Sequence, residues 1–149
     1  MKLNGTKVIE APPEVLYRLL TDPSVLVRTM PGLKSMEPEG ENRYRAEMEM
    51  GVAAIKGRYS GMMEIQDPVP GQSYRLLMEG QGPGGFVNVN IVVRFEPVEG
   101  GTQLSYDGES QVGGTVAGVG QRMLGGVANF IMNQFFSNIS KESQQHQAG

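Results

Sequence analysis

In Arg43-Tyr44-Arg45-Ala46-Glu47-Met48-Glu49-Met50, the residues Tyr44, Ala46, Met48 and Met50 fall on one side of an extended chain and every charge falls on the other. That period of two marks a strand with one dry face. The same alternation recurs downstream. Between Lys56 and Ile65 the dry set is Gly57, Tyr59, Gly61, Met63 and Ile65, and between Ser73 and Gly80 it is Tyr74, Leu76 and Met78. Phe86 to Phe95 turns Val87, Val89, Ile91, Val93 and Phe95 inward, and Gln103 to Val112 turns in Leu104, Tyr106, Gly108, Ser110 and Val112. Gly51, Asp67-Pro68 through Gly71, Gly80 through Gly85 and Glu99-Gly100-Gly101 separate these runs by short turns, so the strands join as antiparallel hairpins.

Upstream, Lys2 to Glu10 reads as a further strand. Pro13 then suits the first turn of a helix carrying Val15, Leu16, Leu19 and Leu20, and Pro23 opens a second short helix that Pro31-Gly32 closes. Downstream of Gly113-Gly114 the period lengthens. Val116, Val119, Met123, Val127, Phe130, Ile131, Gln134 and Phe135 recur at three and four, which predicts one long helix from about Thr115 to about Ile139 and a polar, fraying tail over 140–149. Strand, two short helices, a meander of about six strands and a long helix make an α+β domain of residues 1–149. Its helix is expected across the concave face of a strongly curved antiparallel sheet.

Composition narrows the function. A net charge of -3 with scattered Lys and Arg argues against nucleic acid and against strong adhesion to anionic lipid. Cysteine is absent, which removes disulfides, thiolate catalysis and Cys-based metal sites. No segment reads as a secretory signal or a membrane span, so a cytoplasmic protein is expected. The single histidine, His146, lies in the polar tail, away from any inward face. Paired carboxylates are placed outside by the strand parity, so neither a catalytic residue nor a metal site is assigned. Gly80-Gln81-Gly82-Pro83-Gly84-Gly85 matches G-x-G-x-x-G, but Pro83 interrupts it and a strand follows instead of a helix, so it reads as a flexible hairpin loop and a candidate gate.

What remains is the inward face. It carries Tyr44, Met48, Met50, Tyr59, Met63, Tyr74, Leu76, Met78, Val89, Ile91 and Tyr106 from the strands, with Met123, Val127 and Ile131 from the helix. Such a set is ordinarily a solid core. Three features favour a cavity instead: four inward tyrosine hydroxyls that need partners, the adaptable methionines among 10 in the chain, and a helix thinned by Gly118, Gly120, Gly125 and Gly126. The composition and parity thus point to binding of a lipophilic small molecule in an internal cavity.

Several stretches, in order along nearly the whole chain, resemble one family. They are Ala11-Pro12-Pro13-Glu14-Val15 with Leu20-Thr21-Asp22-Pro23, then Met30-Pro31-Gly32, then Gly101-Thr102-Gln103-Leu104-Ser105-Tyr106, and finally Gln111-Val112-Gly113-Gly114 leading to Gly120-Gln121-Arg122. They are similar to the carbon monoxide dehydrogenase G-subunit family of the START-like (SRPBCC, polyketide cyclase and dehydrase) superfamily. The resemblance implies a helix-grip fold around a hydrophobic tunnel. It further implies an accessory, non-catalytic role beside a molybdenum-containing carbon monoxide dehydrogenase or related hydroxylase, a quinone- or lipid-like guest, and transient contact with the cytoplasmic membrane surface. Some members carry a C-terminal extension suited to membrane anchoring, which this sequence is expected to do without. Met30, Pro31, Gly32, Gln121 and Arg122 become candidate gate or motif residues. A cyclase- or hydrolase-type enzyme using the inward tyrosines, and a purely structural adaptor, stand as the alternatives.

Overall fold

The computed structural model describes residues 1–51 and 56–148, without the side chains of Val119, Gln121 and 146–148. Seven strands form one antiparallel sheet: β1 (Lys2–Ile9), β2 (Leu33–Gly40), β3 (Arg43–Met50), β4 (Gly57–Val69), β5 (Ser73–Gly82), β6 (Gly85–Val98) and β7 (Gly101–Gly113). The spatial order β1-β7-β6-β5-β4-β3-β2 is a meander from β2 to β7 with β1 laid beside β7. Helices α1 (Pro13–Leu20) and α2 (Pro23–Thr29) fill the connection from β1 to β2, and α3 (Gln121–Ala148) follows a short 3₁₀ turn at Gly114–Val119.

Local chemistry explains the short helices. Pro13 and Pro23 stand in the first turn of their helices, where a missing N–H costs nothing. The Asp22 carboxylate accepts from the backbone N–H of Ser24 at 2.9 Å and caps α2. At Pro31-Gly32 the Leu33 N–H donates to the Met30 carbonyl at 3.2 Å while Gly32 adopts φ +86°, the signature of a Pro-Gly turn that only glycine enters freely. That turn sends the chain from α2 into β2.

Strand parity follows the sequence reading. Ala46, Tyr59, Met63, Ile65, Tyr74, Ile91, Val93, Phe95 and Leu104 are buried on the face that α3 covers. The bounds of the last helix do not follow it. Gly120, at φ +90°, breaks the backbone between the 3₁₀ turn and α3, so the helix begins at Gln121 and not near Thr115. It also runs on past Ile139 to Ala148. Just beyond Ile139, Ser143 is fully buried, its hydroxyl donating to the Ser140 carbonyl one turn back at 2.7 Å, and Arg28 on α2 bonds Glu142, Nε to Oε1, at 2.7 Å. The Gly80–Gly85 segment is likewise tighter than a loose loop. β5 and β6 pair up to Gly82 and Gly85, and the Gly84 carbonyl accepts from the Val116 N–H at 2.8 Å and the Thr115 hydroxyl at 2.9 Å.

The core is asymmetric. Phe135, Phe136 and Ile139, in the C-terminal half of α3, pack with Leu16, Leu19 and Leu20 of α1 and Val25 and Leu26 of α2. Asn138 Nδ2 adds a bond to the Thr29 carbonyl at 2.9 Å. The backbone of α3 approaches α1, α2 and the 3₁₀ turn more than it approaches the strands. The helix is therefore pinned at its far end and stands off the sheet at its near end.

Ile139 has no exposed surface. Ile139→Ala should lower the unfolding free energy by roughly 2–5 kcal/mol, read as a lower urea midpoint at unchanged slope; a loss under about 1 kcal/mol would contradict this anchoring.

Candidate functional site

The space left under the near half of α3 is a cavity of about 230 Å³. Ala46, Met48 and Met50 of β3, Tyr59 and Met63 of β4, Met78 and Gly80 of β5, Val87 and Val89 of β6, and Ser110 and Val112 of β7 form its sheet side. Leu124, Val127, Ala128 and Ile131 form its roof, while Met1, Leu3, Met30 and Val116 complete the rim. Of the chain's 10 methionines, Met1, Met30, Met48, Met50, Met62, Met63 and Met78 contribute to this one wall. Flexible thioethers give it a surface that can adjust to guests of different shape. Met1, Met50 and Leu124 keep partial solvent exposure, so the wall is not sealed.

Inward hydroxyls at the wall are few: Tyr59, and Ser110, which is buried and 3.4 Å from the Met1 carbonyl. A second hollow, about 470 Å³, lies on the opposite face of the sheet among Arg75, Glu79, Asn88, Asn90, Asp107 and Glu109. It is polar and open, and the Arg75 guanidinium is already bonded to Asn90 Oδ1 at 2.7 Å. The interior cavity is the better ligand site, because apolar walls with a few convergent polar groups are what small-molecule sites share. Among the described residues no group of His, Asp or Glu is arranged to hold a metal ion.

The sequence-derived candidates divide in two. Met48, Met50, Tyr59, Met63, Met78, Val89, Val127 and Ile131 meet at the wall. Tyr44, Tyr74, Leu76, Ile91, Tyr106 and Met123 do not. Leu76 and Ile91 face each other across β5 and β6 and are core, and Tyr44, half-buried, sits opposite Met63. Tyr74, 4% exposed, closes an aromatic trio with Tyr17 (5.8 Å, edge-on) and Phe95 (6.1 Å). Tyr106 stacks on Phe136 at 5.8 Å and covers Gly5 of β1, where an added Cβ would fall 2.5 Å from its hydroxyl oxygen.

Met123, 53% exposed, lies on the outer side of α3 with Phe130. A four-residue step drifts about 40° round an α-helix, so Met123 lies about 80° from Ile131, off the covered face. Of the candidate gate residues, Met30 lies on the rim, Pro31 and Gly32 form the turn beside it, Arg122 is exposed, and the Gln121 side chain lies outside the described residues. Reading the sequence overlooked Met1, Leu3, Val112, Val116, Leu124 and Ala128. Leu124, Ala128 and Ile131, at i, i+4 and i+7, carried a usable signal once the helix start is set at Gln121.

The model of the carbon monoxide dehydrogenase G-subunit (CoxG) family matches residues 5–143. The chain belongs to that family. A conserved protein from Geobacillus kaustophilus, 40% identical to this CoxG-family member, superposes with a TM-score of 0.94 over 97% of this chain and 96% of its own. A START superfamily protein from Mycobacterium smegmatis (13% identical, TM-score 0.77, covering 97% of each chain) shares the fold. So does the Zhui aromatase/cyclase from Streptomyces sp. R1128 (14% identical, TM-score 0.70, covering 97% of this chain and 94% of that one). The CoxG-family chain thus has the START-like helix-grip fold that its motifs implied. No protein of curated function matches its sequence significantly. Among the described residues, no helix is long and apolar enough to cross a membrane.

Burial, assisted by repulsion from Tyr17, pushes the Tyr74 phenol well above its ordinary value of 10.0, and burial raises Tyr17 and Tyr106 in the same direction. A phenol whose folded pKa lies above its unfolded one stabilises the fold fully below about pH 10, and that contribution is lost as pH climbs toward the folded value. Thermal stability should therefore fall steeply above about pH 10, and Tyr74→Phe should flatten the fall. An identical alkaline profile in the variant would contradict the burial of this hydroxyl.

Proposed function

We propose that this CoxG-family member is a non-catalytic binding module that carries a lipophilic small molecule, quinone- or lipid-like, in the cavity under α3. In this reading it serves a molybdenum-containing carbon monoxide dehydrogenase or a related hydroxylase. The observation that carries the reading is the cavity itself, an apolar hollow with methionine-rich walls beneath a helix pinned only at its far end. Family membership supports the accessory role and the partner class. Met123 and Phe130, 53% and 61% exposed and two turns apart on the outer side of α3, would supply an apolar patch for brief contact at the cytoplasmic membrane surface.

One fold neighbour is an aromatase/cyclase, so a catalytic reading has an observation behind it. Tyr74 and Tyr106 weigh against it. General acid–base work wants a pKa near the operating pH, and burial moves Tyr74 and Tyr106 away from it while aromatic neighbours take up their faces.

A cavity that binds by apolar burial makes a quantitative prediction. Straight-chain alkanols should displace the fluorescent probe N-phenyl-1-naphthylamine from the purified protein. Their affinity should rise roughly fourfold per added methylene, as ~0.8 kcal/mol per buried CH₂ requires, until the space is full. Failure of the probe to bind, or displacement independent of chain length, would remove the binding function and leave the structural adaptor.

A further inference from the structure

Gly80 stands near the C-terminal end of β5, still paired on both sides, with Gly61 of β4 opposite it on one and Val87 of β6 on the other. All three line the cavity. A glycine inside a strand weakens it and ordinarily marks a bulge, a bend or a close approach of another backbone. Its neighbours show that reason plainly. A Cβ on Gly61 would lie 1.6 Å from the Glu79 carbonyl oxygen, and one on Gly108 would lie 2.0 Å from that of Asn90. Gly80 has no such reason. Its φ is not in the left-handed region, and the nearest atom to a Cβ placed there is the Val87 carbonyl oxygen at 3.8 Å, ordinary van der Waals distance. Among the described glycines paired on both sides within the sheet, Gly80 alone has room for a side chain. Because side chains two apart share a face, that room is on the side of Met78, which is the cavity side.

We infer that Gly80 is a specificity-determining position, kept bare so that the cavity floor admits an apolar guest with a ring-bearing or branched body, wider than a single alkyl chain. This rests on the binding function proposed above. Gly61 and Gly80 face each other on strands about 4.8 Å apart, so the floor lacks side chains across two adjacent strands. Tyr59 and Met63 flank it along β4, and Met78 flanks it along β5. A straight polymethylene chain needs the width of one strand, whereas a ring or a branched chain needs both. A valine at 80 would fill the second width. It would also suit the strand, since β-branched side chains are at home there.

The experiment compares wild type, Gly80→Ala and Gly80→Val against two probes, N-phenyl-1-naphthylamine for a ring-bearing body and 1-dodecanol for a straight chain, with thermal melting alongside. Gly80→Val should weaken the ring probe at least tenfold, leave dodecanol within about threefold, and melt at or above the wild-type temperature. Gly80→Ala should fall between on the ring probe. Equal weakening of both probes, no weakening of either, or a valine variant that melts lower or does not fold would overturn the inference. A wild-type protein that binds neither probe would instead overturn the binding function itself.

Discussion

Everything distinctive in this molecule depends on where α3 is fastened. Phe135, Phe136 and Ile139 are buried against α1 and α2, Asn138 bonds the Thr29 carbonyl, and Glu142 is gripped by Arg28, so the C-terminal half of the helix cannot leave. The N-terminal half carries Leu124, Val127, Ala128 and Ile131 over the sheet, and among the described residues no side chain there is as deeply buried as Ile139. Interiors close-pack where they can. Here the anchor holds the helix axis away from the strands, and the side chains between them are small or flexible. A hollow is the geometric consequence.

Apart from Tyr59 at its wall, the inward aromatic residues are allocated around that hollow rather than into it. Tyr74 with Tyr17 and Phe95 ties β5 and β6 to α1, and Tyr106 joins Gly5 of β1 to Phe136 of α3. Rigid rings thus fix the parts that must not move. Thioethers line the part that must fit a guest, with Tyr59 and Ser110 at the same wall. The hairpin turn at Gly84, bonded to Thr115 and Val116, holds Val116 at the rim of the space.

The sheet was legible because alternation such as Arg43 to Met50 reports directly which side chains share a face. The short helices were legible because Pro13 and Pro23 are tolerated only at a helix start. Depth was not legible. Parity says that Tyr74, Ile91 and Met48 point the same way, but not that the first two meet α1 and other core side chains while the third meets empty space. The helix misled for two physical reasons. A spacing of four drifts about 40° per step, which carries Met123 off the face shared by Val127 and Ile131, and polar Ser143 is fully buried although its own neighbours in sequence do not announce it.

Xenon settles in dry apolar voids and is excluded from well-packed cores, so crystals of the protein pressurised with the gas address the stand-off of α3 most directly. Xenon peaks ringed by Met48, Met63, Met78, Val89 and Ile131 are the result expected from a cavity of about 230 Å³. Side chains meeting across that space, with no xenon between α3 and the sheet, would contradict the account.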